Sequence, residues 1–192
     1  MLEYFKQLDL KILLAINSLH TPFLDKCMLF ITHRDTWIPL YICILIFLFI
    51  KDKKKFPLVV FCIIGAIVCS DLFASAFMKP LFQRLRPCRN EDINPMLYLI
   101  KDVCGGKYGF ISSHAANTFA LATFLTFYLG KEYKWIFLFF IWATIVALSR
   151  VYLGVHYPAD IAVGALAGII IATIFYNLYK ILVKKFQPIK EG

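Results

Sequence analysis

Long apolar runs, broken by short clusters of charge, set the pattern of this chain. A helix that crosses a bilayer takes roughly 20 mostly apolar residues, with about 17 to 25 tolerated. Five runs reach or approach that length: 37–50 (the shortest), 56–77, 115–129, 135–148 with a continuation toward 153, and 161–182. The runs are continuous and lack the period-two alternation of barrel strands. In lipid, a single segment pairs its own backbone groups only as a helix. The expected fold is therefore all-α, a polytopic transmembrane bundle with five clear spans. A sixth stretch, 10–32, carries Lys11, Asn17, His20, Pro22, Asp25 and Lys26. It reads as a helix pair lying in the membrane interface or as a poor span broken at Pro22, and the interface is favoured.

The charges between the runs suggest a topology. Lys51-Asp52-Lys53-Lys54-Lys55 separates the first two spans, 131–134 separates the third and fourth, and Lys184-Lys185 follows the fifth. Odd-even counting puts these turns on one side of the membrane. The long loop 79–108 and the turn around His156 then fall on the other. Total basic counts on the two sides are close, so the dense cluster at 51–55 is what marks its side as cytoplasmic. A cytoplasmic tail is expected at 186–192. The first ten residues include Glu3 and Asp9 and lack a continuous apolar core, so no cleavable signal peptide is expected. Gly164 and Gly168, four apart in the last span, have the spacing of a close helix contact in lipid.

Composition strengthens the membrane reading. Apolar residues make up 60% of the 192 residues and charged residues 17%, with 19 Phe and 10 Tyr. Soluble domains run nearer half apolar and a quarter charged. The net charge of +9 would point to nucleic acid in a soluble protein. Here the basic residues lie between apolar runs, so the expected partners are a lipid bilayer and an anionic membrane substrate, with no nucleic acid.

Three clusters on the side opposite the lysine turns carry candidate chemistry. Lys79 and Arg86 are seven apart, and on a helix they would project from nearly one face. Ser112-Ser113-His114 precedes the third run, where a helix start offers free N–H groups to an anion. Ser149-Arg150 is followed by His156 and then Asp160; a carboxylate beside an imidazole fixes its tautomer. Alone, each cluster has an ordinary explanation: interfacial anchoring, a helix cap, a connecting loop. Together they place three cations, two histidines, a carboxylate and two hydroxyls at one end of an apolar protein. Arginine offers a fork of donors that matches phosphate oxygens, and lysine a point charge. His20 and His33 are isolated, and no cluster with metal-ligand spacing is evident, so neither metal nor cofactor is expected.

Lys79-x6-Arg86-Pro87, Ser112-x-His114 and Ser149-Arg150-x5-His156-x3-Asp160 resemble, in order and spacing, the three signature motifs of the type 2 phosphatidic acid phosphatase (PAP2) superfamily. The second departs from the family's Pro-Ser-Gly-His, reading Ile111-Ser112-Ser113-His114. The resemblance covers about 56–182 and implies a domain at 36–185 that carries the catalysis, preceded by an N-terminal segment, 1–35. It also implies a phosphatase acting on a membrane lipid phosphate or diphosphate through a phosphohistidine. His156 would be the nucleophile, Asp160 its orienting partner and His114 the acid for the leaving oxygen. Lys79, Arg86, Arg150, Ser112 and Ser113 would hold the phosphoryl oxygens. Lipid A and undecaprenyl diphosphate are the leading substrates. A phosphotransferase of the same fold and a non-catalytic lipid-binding protein are the alternatives.

Two of the six cysteines stand apart from the apolar runs. Cys88 and Cys104 both fall in the polar loop 79–108, on the side expected to be oxidising. A bridge there would close a loop of fifteen intervening residues, an effect of about 3 kcal/mol in the chain-entropy picture. It would also tie the first motif to the second.

Overall fold

The computed structural model describes residues 2–100 and 103–186; of the tail expected at 186–192, only Phe186 lies among them. The described residues are helical, with no strand beyond an isolated bridge between Leu85 and Tyr108. Helix α1 (Leu2–Asn17) is followed by α2 (Pro22–Thr32). Thr21 caps α2, its Oγ accepting from the Leu24 N–H at 3.2 Å. Pro22 thus starts a helix, a position where its missing N–H costs nothing. A 3-10 turn, Arg34–Trp37, leads into α3 (Ile38–Lys51), and the chain bends by 70° between α2 and the segment Arg34–Lys51.

Helix α4 (Phe56–Leu72) continues through a π-helical stretch, Phe73–Met78, and the single turn α5 (Lys79–Phe82). The apolar run ends at residue 77, yet the helix goes on to Phe82; Pro80, which has no N–H to donate, stands just past the π-helical stretch. Gln83, in the left-handed region at φ 46°, then ends it. Lys79 and Arg86 consequently do not share a helix face: Lys79 is helical, whereas Arg86 arrives on extended chain beyond the turn. The remaining helices are α6 (Ser113–Leu129), α7 (Leu138–Tyr152) and α8 (Pro158–Phe186).

Among the described residues, three helical stretches are long and apolar enough to cross a membrane: Phe56–Phe82, Lys134–Tyr152 and Pro158–Phe186. The bent pair α2–α3 makes up to four. Helix α6, only 17 residues long, is the centre of the bundle, packed against α4, α7 and α8. Phe124, Leu125 and Leu129 of α6 are buried with Val59 and Cys62 of α4 and Ala172 of α8. The outer faces carry exposed apolar side chains, among them Phe61, Ile64, Ile141, Ile145, Ile170 and Ile174. Side chains of this kind suit lipid.

Helices α6 and α8 approach closely through glycine. A Cβ at Gly164 would lie 2.7 Å from the Ser112 carbonyl oxygen, and one at Gly168 would overlap the Ala116 carbonyl. Small residues at such crossings let backbones meet. The two ends of the bundle differ. At one, Lys51 forms an ion pair with Glu132 and lies over the Tyr133 ring, joining two of the lysine turns. At the other lie the 83–112 loop, the start of α6 and the α7–α8 turn.

Candidate active site

The α7–α8 turn is built by Gly154, at φ +68° where side chains are strained. The Val155 and His156 N–H groups both donate back to the Arg150 carbonyl, at 3.1 and 3.2 Å. The turn thereby folds His156 back over the end of α7. Pro158 opens α8, and Asp160 sits in its first turn. Asp160 Oδ2 accepts from the Tyr157 N–H at 3.0 Å, the backward reach of a capping carboxylate. The same oxygen stands 3.3 Å from His156 Nδ1.

The other ring nitrogen, His156 Nε2, is 3.0 Å from Arg86 Nη1. A guanidinium can only donate, so Nε2 is the acceptor and Nδ1 carries the proton toward Asp160. Burial, then the charges of Arg86, Arg150 and Lys79, hold the His156 imidazole well below the usual histidine range. The ring is therefore neutral near pH 7, with its lone pair on Nε2. Arg86 also donates to the Val155 carbonyl at 3.2 Å, and its Nε is buried with no partner among the described residues.

The second motif joins the third through backbone. The Ser112 N–H donates to the Asp160 carbonyl at 3.0 Å. Ser112 is fully buried and caps α6, its Oγ accepting from the Ala115 N–H at 3.5 Å. The N–H groups of the first helical turn then point outward unpaired by the helix. Lys79 Nζ donates to Ser113 Oγ at 2.8 Å, so the side chain that stands where the family carries glycine meets the first motif. His114 hydrogen-bonds the Thr32 carbonyl and lies within electrostatic reach of Arg150 and His156. Arg150 Nη1 donates to Thr32 Oγ1 at 2.6 Å, while its Nε is buried without a partner. The structure thus brings Lys79, Arg86, Ser112, Ser113, His114, Arg150, His156 and Asp160 to one end of the bundle. Two partnerless guanidinium N–H groups and a cationic lining form a centre suited to a tetrahedral anion.

The loop that carries Arg86 is pinned on several sides. The Arg86 N–H donates to the Lys107 carbonyl and the Gly109 N–H to the Arg84 carbonyl, at 3.1 and 2.8 Å. The Cys88 N–H donates to the Gly154 carbonyl at 3.1 Å. Cys88 and Cys104 are joined in a disulfide, their Cα atoms 6.1 Å apart. Gly109 allows the close approach, since a Cβ there would lie 3.2 Å from both Arg86 Cγ and Asp160 Oδ2.

Three contributors escape the motifs. Arg84 donates to Asp160 Oδ1 at 2.8 Å and to Asp9 Oδ2 at 2.6 Å, and its guanidinium stacks 3.8 Å from the Tyr157 ring centre. Asp9, on α1, also accepts from the Ala159 N–H at 2.8 Å. Thr32, at the end of α2, bridges His114 and Arg150 as described. The N-terminal segment 1–35 therefore reaches the site at two points. Among the described residues no group of three or more His, Cys, Asp or Glu comes together as a metal site would require.

The sequence model of the PAP2 superfamily matches residues 59–184. A lipid A 4'-phosphatase of Bacteroides thetaiotaomicron is 36% identical over 97% of this chain and 84% of its own length. One of Porphyromonas gingivalis is 35% identical over 93% and 75%. Among solved structures, a PAP2-type phosphatidylglycerolphosphate phosphatase of Bacillus subtilis superposes with a TM-score of 0.68, at 21% identity, over 97% of this chain and 90% of that one.

Proposed function

This chain belongs to the PAP2 superfamily and is a multi-pass membrane lipid phosphatase of that type, and we propose that it removes a phosphate monoester from a lipid A-type glycolipid through a phosphohistidine. The observation that carries the mechanism is the pairing of His156: Nδ1 on Asp160, Nε2 turned to Arg86. An incoming phosphate would draw Arg86 from Nε2 onto its own oxygens. Nε2 then attacks phosphorus, the P–O bond to the lipid breaks, and His114 gives its proton to the leaving oxygen. Asp160 stabilises the imidazole as it becomes cationic. Lys79, Arg86, Arg150, Ser113 and the first N–H groups of α6 hold the phosphoryl oxygens, with Ser112 fixing that helix start. In the second half, His114 takes a proton from water, water attacks phosphorus, and the P–N bond breaks to release phosphate. Residues 36–185 hold the proposed catalytic groups, arranged over five spans. The site faces the periplasmic side of the inner membrane, and 186–192 is cytoplasmic.

The two matches to lipid A 4'-phosphatases, each over more than nine-tenths of this chain, favour the glycolipid over undecaprenyl diphosphate. Detergent-purified protein should release phosphate from lipid A faster than from phosphatidic acid or undecaprenyl diphosphate. Release should survive chelator and be inhibited by vanadate, which adopts the five-coordinate geometry of phosphoryl transfer. Absence of release from all three lipids, or loss in chelator restored by a divalent ion, would overturn the reading.

A further inference from the structure

Beside His114 the site opens into a cavity of about 460 Å³ between α4, α6 and α7, closed by Trp37 and Tyr41. Ser113, His114 and Asn117 line it from successive positions on one face of α6, so the cavity begins where the leaving group of the proposed reaction would stand. Much of the wall is apolar, as a hydrocarbon chain would require, with Ile67, Val68, Leu121 and Val146 contributing. Besides the exposed Arg34, three polar groups are not explained by hydrocarbon, and the proposed phosphoryl chemistry does not use them.

Asp71 is the first. It lies inside the stretch Phe56–Phe82, a charge at a depth where charge is costly and rarely kept without a task. Its Oδ1 accepts from Asn117 Nδ2 at 3.0 Å. Asn117 Oδ1 is the second and Trp142 Nε1 the third: both are buried, and neither has a partner among the described residues. A buried polar atom without a partner costs about 1–3 kcal/mol, which a ligand supplying the missing bond would recover.

From these groups we infer that Asp71 and Asn117 determine specificity by accepting hydrogen bonds from hydroxyls on the leaving alcohol, next to the phosphate ester. The preferred substrate is thus phosphorylated on a polyhydroxylated ring, not on a simple lipid alcohol. Asp71 and Asn117 Oδ1 supply acceptors for hydroxyl donors, and Trp142 Nε1 supplies a donor for a ring or acyl oxygen. An alkyl, diacylglycerol or polyprenyl phosphate has no hydroxyl at that place and would leave Asn117 Oδ1 and Trp142 Nε1 unpaired, with Asp71 held only by Asn117. Sites built around a substrate hydroxyl reject analogues lacking it far more strongly than apolar pockets discriminate by size. This inference rests on the phosphatase reading, with His114 facing the leaving oxygen.

The test compares kcat/KM for an acylated glucosamine 4-phosphate with that for dodecyl phosphate, in wild-type protein and in Asp71→Asn and Asn117→Leu. A ratio is independent of how much of each variant folds. The wild type should favour the sugar phosphate by about 100-fold or more, and each variant should cut that preference at least about tenfold. A 3-deoxy analogue of the sugar phosphate should lose preference in the wild type and show little further loss in the variants. Equal turnover of both substrates by the wild type, or a ratio unchanged in both variants, overturns the inference and leaves the phosphatase reading intact. No phosphate release from either substrate overturns both.

Discussion

His156 and Arg86 show how the site is held at rest. The proposed nucleophile is 1% exposed, and Arg86 donates to the lone pair that attacks phosphorus in the proposed mechanism. The same guanidinium keeps an Nε–H in reserve for an anion. His156→Ala should leave below a few percent of wild-type turnover in folded protein, since no second nucleophile stands in its place. Asp160→Asn should lose less, because the ring keeps its neighbour while losing a charge; phosphate-release kinetics on purified variants check both. Arg84 gives a sharper test of the unforeseen part of the site. It touches both Asp9 and Asp160 and, in our reading, no substrate atom, so it is a positioning residue. Arg84→Gln should lower kcat on the order of tenfold to a hundredfold, the usual cost of losing a partner that orients a site residue, with KM changing much less. Arg84→Lys should recover part of that loss. A change confined to KM would place Arg84 on the substrate instead. The motif residues were legible because their spacing is local. Arg84, Asp9 and Thr32 were not, because their partners lie 75 or more positions away along the chain. Asp9, read only as a charge interrupting an apolar stretch, is 8% exposed and accepts from two donors.

At the scale of elements, apolar runs told where helices lie but not where they stop. The run ending at 77 belongs to a helix that reaches Phe82, since what ends it is Gln83 in the left-handed region, not the end of the apolar residues. Helicity alone would put Lys79 and Arg86 on one face; the turn at Gln83 brings them to the site by different routes. The α6–α8 contact was legible in outline from Gly164 and Gly168, because only glycine permits such an approach. Its role was not: it seats Ser112 against the backbone of Asp160 and so aligns two motifs. Gly164→Val should push α6 away from α8. Overpacking of this kind costs about 1–3 kcal/mol, so the thermal midpoint in detergent should fall, and activity should fall with it at temperatures where the protein is still folded. Lost stability with full activity would mean that the alignment of the motifs tolerates the shift.

The whole molecule has two unlike ends. One is gathered by lysine turns, with Lys51 paired to Glu132; the other holds the proposed phosphate site and the loop closed by Cys88–Cys104. In right-side-out membrane vesicles, on a background lacking the four free cysteines, a cysteine at position 95 should react with an impermeant maleimide and one at position 53 should not. The reverse pattern would invert the proposed topology. The Cys88–Cys104 bridge adds a consequence for how the enzyme is made. Its loop holds Arg86 against the α7–α8 turn through the Cys88–Gly154 hydrogen bond, so in the proposed topology the site is completed where thiols oxidise. A chain inserted upside down would carry that loop into the reducing compartment and leave it slack. Orientation in the membrane would then be proofread by chemistry: a misinserted copy is silent, and the cytoplasmic leaflet is spared a phosphatase that has no business there.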